Sequence, residues 1–176
     1  EQMGWVIDSL VNDKNSRQAI MFFNQPKFQV EGNKDFVCTL YANFFIRNNT
    51  LYMKVQMRSN DIFFGLTFDA PFFSFLHQSV FLILKDKYED LKLGHYFHNS
   101  DNLHFYERHF NLASEIKESG AGNEYTLILK NKLVDYKSKS GVFLTDQGLE
   151  FLKRVDGSIK SEDANYKNIL NDYFEI

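Results

Sequence analysis

The sequence predicts an α+β fold, a mixed or antiparallel sheet with helices packed on it, and three observations carry that reading. A stripe of four apolar residues near the N-terminus has helical spacing. Two runs of strict alternation flank an Asn-Asn pair, and a long apolar stretch opens on Asp69 and Pro71, residue types that start helices. At 176 residues the chain is a single domain by size, large enough for one substantial core.

Met3, Val6, Ile7 and Leu10 fall on one face of a short amphipathic helix, and the polar residues 12–16 end it. Residues 18–23 read as a buried strand broken by Asn24-Gln25-Pro26, and residues 29–34 as a loop containing Gly32. In the next strand Cys38, Leu40, Ala42, Phe44 and Ile46 alternate with Thr39, Tyr41, Asn43 and Phe45. In the one after it Leu51, Met53, Val55 and Met57 alternate with Tyr52, Lys54, Gln56 and Arg58. Asn48-Asn49 between them favours a tight turn because Asn tolerates positive φ. With Arg47 opposite Thr50, every apolar alternate lands on one face, whereas a slip of one residue scatters them over both. That register sets Cys38 opposite Ser59 and Thr39 opposite Arg58, so Arg58 needs a bulge or a bend to reach the thiol.

A helix follows from Asp69 as N-cap, with Pro71 in its first turn and Phe72, Phe75, Leu76, Val80 and Leu82 as its apolar surface. Residues 96–98 and 103–106 read as short strands around a polar turn, and residues 125–129 as another strand. Residues 149–155 and 166–173 read as short helices. No repeat, linker or low-complexity tract interrupts the chain.

Composition narrows the function. The chain is 44% hydrophobic and 16% aromatic, with 19 Phe and 9 Tyr, which is too apolar for disorder. A net charge of −3 gives no reason to expect a nucleic-acid binder, though it leaves room for a local basic pocket holding one phosphate. A single cysteine makes no intramolecular disulfide, and no Cys/His spacing indicates a metal, so a reducing, cytoplasmic setting is expected. The first residues lack the basic-then-apolar order of a signal peptide. The most apolar stretch, residues 68–84, is interrupted by Asp69, Pro71, His77 and Gln78, and no membrane span is expected there. The chain begins with Glu rather than Met, which reads as a fragment or a processed form.

The chemistry gathers between Cys38 and Asp69. A thiol, the run Arg58-Ser59-Asn60-Asp61 and the run Gly65-Leu66-Thr67-Phe68-Asp69 come together after one chain reversal. That combination suits covalent chemistry on an anionic, nitrogen-containing substrate. On the residues alone, Cys38 reads more simply as a small buried hydrophobe in a strand.

These residues resemble the thymidylate synthase family, and within it the phage-type deoxycytidylate hydroxymethylases. The resemblance runs from about Trp5 to about Phe110. It includes Asn15-Ser16-Arg17-Gln18, Asp35-Phe36-Val37 before Cys38, and Met57-Arg58-Ser59-Asn60-Asp61. Gly65-Leu66-Thr67-Phe68-Asp69 resembles the family's Gly-Leu-Pro-Phe-Asn, and Leu103-His104-Phe105-Tyr106 with His109 its His-x-Tyr segment. No single motif is specific. The twenty-residue spacing of Cys38 and Arg58 together with Arg-Ser-x-Asp is.

The resemblance implies a thymidylate synthase-like fold, a homodimer formed sheet to sheet, and 5,10-methylenetetrahydrofolate as one-carbon donor to C5 of a pyrimidine deoxynucleoside monophosphate, with no metal. Cys38 matches the nucleophile that adds to C6. A free thiol has a pKa of about 8.5, and an adjacent guanidinium raises the thiolate fraction; Arg58 is the matching cation, and with Ser59 it would hold the phosphate. Arg17 resembles an arginine lent across the dimer interface to the phosphate, against a plain reading as a solvated turn residue; Gln18 stands where the family often has a second arginine. Thr39 stands where synthases usually have histidine, which looks like the hydroxymethylase branch.

Asp69 replaces the asparagine that reads uracil in synthases. A carboxylate accepts from the cytosine N4 amino group and repels the uracil O4, although a plain helix cap also accounts for an Asp there. Asp61 resembles the aspartate near the pterin and the base carbonyl. Phe64, Gly65 and Phe68 would line the folate side, while Phe63 and Phe72 are expected in the core. His104 and Tyr106, two apart on a strand, would bind the sugar hydroxyl. The family's catalytic glutamate and a folate-side tryptophan lie upstream of anything in these residues. The resemblance therefore implies one domain over residues 1–176 that lacks its N-terminal portion. Residues 114–176 match the family poorly. Deoxycytidylate hydroxymethylation is the expected activity; thymidylate synthesis from deoxyuridylate, or nucleotide binding without turnover, are the alternatives. Phage origin would place the protein in the host cytoplasm.

Overall fold

The computed structural model describes residues 1–120, 122, 127–138, 141–161 and 171–175. The elements run α1 (Gln2–Asn12), β1 (Ile20–Phe22), β2 (Thr39–Arg47), β3 (Thr50–Met57), β4 (Asn60–Asp61), α2 (Thr67–Leu84), β5 (Lys92–Ser100) and β6 (Leu103–His104). They continue with α3 (Phe110–Ser119), β7 (Ile128–Leu129), β8 (Val134–Lys137), β9 (Gly141–Leu144), α4 (Asp146–Ser161) and β10 (Phe174–Glu175). A π-helical turn, Ile62–Leu66, leads into α2.

The main sheet has the order β1-β2-β3-β5. β1, β2 and β3 pair antiparallel and β5 pairs parallel to β3, so the sheet is mixed, as expected for the α+β class. A parallel pair needs a crossover, and α2 supplies it. Gly94 lets β5 come close: a Cβ there would lie 2.7 Å from the Leu51 carbonyl oxygen, where the β3–β5 register shifts.

The hairpin register holds from Arg47↔Thr50 to Tyr41↔Gln56, with Asn48 and Asn49 at φ 49° and 59°. Beyond Tyr41 a bulge shifts it, and Thr39 pairs with Met57 rather than with Arg58. The alternation therefore set the register, and the irregularity needed to bring Arg58 to Cys38 is present.

One face of this sheet is the core. Ala42, Phe44, Leu51, Met53 and Val55 are fully buried, with Ile46 and Met57 nearly so. Val6, Ile7 and Leu10 of α1 and Phe73, Val80, Ile83 and Leu84 of α2 pack in the same cluster. Apolar burial at roughly 25 cal/mol per Å² makes this face the main source of stability. The opposite face carries Phe45 stacked on Tyr52, centroids 5.5 Å apart, and Tyr52 beside Phe97 at 6.3 Å, with Phe22 and Phe97 exposed.

α2 begins at Thr67, two residues before the expected start, because the π-helical turn already directs the chain into it. Leu66 is its N-cap and makes no side-chain cap bond, so Asp69 lies inside the first turn and is not the cap. Phe72 is 55% exposed and is not core; it packs edge-on against the buried Phe73, while Phe63 is half-buried against Phe105 and His109. Helical residues Ile62–Leu84 have the length and composition of a membrane span, which the expectation for residues 68–84 did not allow. In the fold this helix covers the sheet, and its buried polar side chains bond to neighbouring elements. His77 Nε2 lies 3.1 Å from the Leu51 carbonyl, and Gln78 spans the Leu127 carbonyl (2.9 Å) and the Leu129 N–H (2.7 Å). Burial pushes the His77 pKa down to about 4 despite the Leu51 carbonyl.

Leu129, Leu133 and Tyr173 form a smaller cluster with Phe75, Leu82, Phe151, Val155 and Phe174. β7 and β10 pair there, and the β8–β9 hairpin and α3 are elements the sequence pattern did not reveal. α4 includes the expected residues 149–155 and extends beyond both ends. Much of the strand expected over residues 125–129 and of the helix over residues 166–173 lies outside the described residues.

Candidate active site

The bulge in β2 makes the chemistry local. Because one residue is taken up between Thr39 and Tyr41, Cys38 comes opposite Arg58, whose N–H donates to the Cys38 carbonyl at 2.9 Å. The Arg58 guanidinium then turns onto the thiol side. Its Nη2 lies 3.7 Å from Cys38 Sγ and donates to the Phe36 carbonyl at 2.6 Å, while Nε donates to the Val37 carbonyl at 3.1 Å. The guanidinium carbon also sits 4.9 Å over the Phe36 ring. Main-chain oxygens thus fix the cation beside the sulfur. Cys38 is exposed, which removes the reading of it as a buried hydrophobe.

Both residues open on a cleft of about 690 Å³ that also reaches Ser59, Asp61, Phe64, Gly65, Asp69, His104 and Tyr106. Nine of the residues singled out in the sequence therefore meet in one place. Arg17 and Phe68 do not. Arg17 lines separate hollows beside Trp5 and Gln18, and Phe68 is 70% exposed on the first turn of α2.

Asp61 caps the π-helical turn: Oδ1 accepts from the Phe63 N–H (2.7 Å) and the Phe64 N–H (3.1 Å). Desolvation opposes its charge, but the Phe64 and Phe63 N–H groups, with His104 and His109 nearby, outweigh it and hold its carboxyl below the usual carboxylate range. Asp69 turns away from its own helix terminus, and its Oδ2 accepts from Asn60 Nδ2 at 2.7 Å. Gly65 makes room for that contact, since a Cβ there would stand 2.7 Å from Asn60 Nδ2. His104 and Tyr106 lie side by side with ring centroids 5.4 Å apart, although β6 ends at His104 and Tyr106 is outside it.

The sequence reading passed over four participants. Asn60 is 3% exposed and backs Asp69. His98, on β5, contacts Asn60 through Nε2 at 3.2 Å. Arg108 lies 5.0 Å from the Tyr106 ring and 5.5 Å from the Phe64 ring, placing a second cation on the cleft wall, and Lys34 is a third. Asn60 stood inside a quoted run without a role; the others had no spacing signal. Among the described residues, no three His, Cys, Asp or Glu side chains gather to hold a metal ion.

Residues 1–143 match the thymidylate synthase family. This chain belongs to that family. The match extends well past Phe110, so residues 114–143, which were expected to match poorly, are part of it. Among the similar proteins are the deoxycytidylate 5-hydroxymethyltransferases of Enterobacteria phage T4, 30% identical over 68% of this chain and 51% of theirs, and of phage T6, 31% identical over 78% and 56%. A putative thymidylate synthase of Methanocaldococcus jannaschii is 30% identical over 60% of this chain and 47% of its own. The chain thus spans about half the length of the curated relatives it matches.

Proposed function

We propose that this chain carries the nucleotide-handling part of an enzyme that transfers a one-carbon unit from 5,10-methylenetetrahydrofolate to C5 of deoxycytidylate, leaving a hydroxymethyl group. The observation that carries the reading is Cys38 Sγ 3.7 Å from the Arg58 guanidinium, in the same cleft as Asp69. A thiolate there adds to C6 of the ring, and the electron pair displaced from the C5–C6 double bond makes C5 nucleophilic. The folate supplies the one-carbon unit at the aldehyde oxidation level. Loss of the C5 proton then expels the tetrahydrofolate amine from the transferred carbon, water adds to the resulting exocyclic methylene as hydroxyl, and the thiolate leaves C6.

Arg58 holds positive charge beside the sulfur and, with Ser59, beside the nucleotide phosphate; Arg17 of a second copy adds a further phosphate contact. Asp69 accepts from the cytosine N4 amino group, and His104 and Tyr106 hold the sugar. Asp61 lies at the pterin side with Gly65 and Phe68. Phe64, 60% exposed with Arg108 beside its ring, offers the aromatic surface that a flat pterin needs, so the residues present fit the folate. The bare aromatic face around Phe45, Tyr52 and Phe97 is where two copies would pack as a homodimer. The one-carbon chemistry belongs in the cytoplasm, the host's if the protein is phage-encoded.

Two further readings have specific support. Similarity to a putative thymidylate synthase favours methylation of deoxyuridylate. The half-length match favours a binding and dimerisation module without turnover. Calorimetric titration with deoxycytidylate and deoxyuridylate, followed by tritium release from C5 in the presence of methylenetetrahydrofolate, separates all three. Deoxycytidylate binding with release and a hydroxymethyl product is expected. Reaction of deoxyuridylate alone to a methylated product overturns the cytosine assignment, and binding without release leaves the module.

A further inference from the structure

Behind Asp69 stands a file of polar side chains drawn from two elements. Asn60 Nδ2 donates to Asp69 Oδ2 at 2.7 Å, Asn60 Oδ1 faces His98 Nε2 at 3.2 Å, and His98 Nδ1 is bonded to the Tyr96 hydroxyl. The direction of this file is forced. An amide oxygen turned toward a carboxylate would repel it, so Asn60 presents its NH2 to Asp69 and its oxygen to His98. His98 must then carry its proton on Nε2, which leaves Nδ1 bare to accept from the Tyr96 hydroxyl. Burial lowers the His98 pKa, against the opposing pull of Asp69, and so favours the neutral ring that this pattern requires.

We propose that Asn60, His98 and Tyr96 are positioning residues that fix Asp69 as a hydrogen-bond acceptor toward the pyrimidine edge and thereby set the preference for cytosine over uracil. The inference rests on the nucleotide reading above. Every link donates toward Asp69, so Oδ2 is occupied and the carboxylate cannot swing onto its own helix terminus. Oδ1 is left to meet the amino group of the base. An amide does not pass protons along as an imidazole does, so Asn60 transmits orientation and keeps the Asp69 proton balance separate from His98. Gly65 belongs to the same device, because a side chain at that position would push the Asn60 amide off the carboxylate.

The test compares wild type with Asn60→Ala, His98→Phe and Tyr96→Phe by calorimetric titration against deoxycytidylate and against deoxyuridylate. It adds nitrogen-15 NMR of the His98 ring, which reads the tautomer directly. The expected result is a wild-type preference for deoxycytidylate that shrinks by about tenfold in Asn60→Ala, the scale of one charge-assisted hydrogen bond. Smaller losses are expected in the other two variants, with the proton on Nε2 in the wild type. Tyr96→Phe keeps the ring and removes only the hydroxyl, so it tests the file where Asn60→Ala fails to fold. A wild-type preference that survives all three substitutions, or a His98 proton on Nδ1, overturns the proposal. A wild type that binds neither nucleotide overturns the nucleotide reading itself, and this inference with it.

Discussion

The two ends of the cleft are built by different means. At the thiol end the Arg58 guanidinium is held by the carbonyls of Phe36 and Val37 and by a strand bulge, so the geometry belongs to the main chain. At the other end, proposed as the reading end, Asp69 is held by Asn60, which is held in turn by His98 and Tyr96, so the geometry belongs to side chains. Main-chain placement survives most substitutions nearby. Side-chain placement changes with each residue in the file. Reactivity should therefore be robust, and base choice adjustable.

The largest effect should come from breaking the thiol end outright. Cys38→Ser replaces the thiol by a far weaker nucleophile, and tritium release from C5 of labelled deoxycytidylate should be abolished. Release at an undiminished rate ends the covalent mechanism. Arg58→Ala should be next. It removes the guanidinium donor from the Phe36 and Val37 carbonyls, the latter keeping only Asn24, and leaves the sulfur without its cation, and it should slow release by about a hundredfold, close to 3 kcal/mol, the scale of a charged hydrogen bond. Arg58→Lys should recover part of the rate, because it keeps the charge while losing the fork. Full recovery would mean that the main-chain anchoring is dispensable, and the contrast between the two ends would collapse.

Gly65→Ala sharpens the comparison from the other side. The new methyl would meet Asn60 Nδ2 at 2.7 Å, so deoxycytidylate affinity should fall about tenfold while the Cys38–Arg58 pair stays intact. Equal losses for deoxycytidylate and deoxyuridylate would show that the methyl acts on folding or on a shared contact. A stability measurement serves as a control outside the cleft. His77 is neutral when folded, with a pKa of about 4 against 6.5 for the free side chain. Between those values the unfolded chain binds a proton that the native one refuses. Stability is therefore full above about pH 6.5 and falls as the pH drops toward 4, by at most about 1.4 kcal/mol per unit. Thermal melts should show wild type losing more on acidification than His77→Gln. Identical losses would place the acid sensitivity elsewhere.

The sequence showed the thiol end far better than the reading end, for a physical reason. Period-two alternation in Ala42, Phe44 and Ile46 and in Leu51, Met53 and Val55 determines a hairpin register, and the register fixes which residues lie near Cys38. Asn60, His98 and Tyr96 come together only through the parallel pairing of β5 with β3 across a long helical crossover, and no local spacing records that. The resemblance marked Asp69 as the proposed base reader, but no spacing pointed to its partner Asn60, and its capping role proved absent because the π-helical turn opens the helix earlier. Residues 114–143 were read as a poor match to the family because the strands described there are too short for alternation to show.

The irregularity in β2 bends the strand beside the place where sulfur and guanidinium meet. Leu40 is the odd residue in the ladder. Exchanging Leu40 for another apolar residue should be tolerated. Deleting it would rejoin an unbroken ladder in which Thr39 still faces Met57 and Cys38 still faces Arg58, at the loss of the local bend and added twist that a bulge gives its strand.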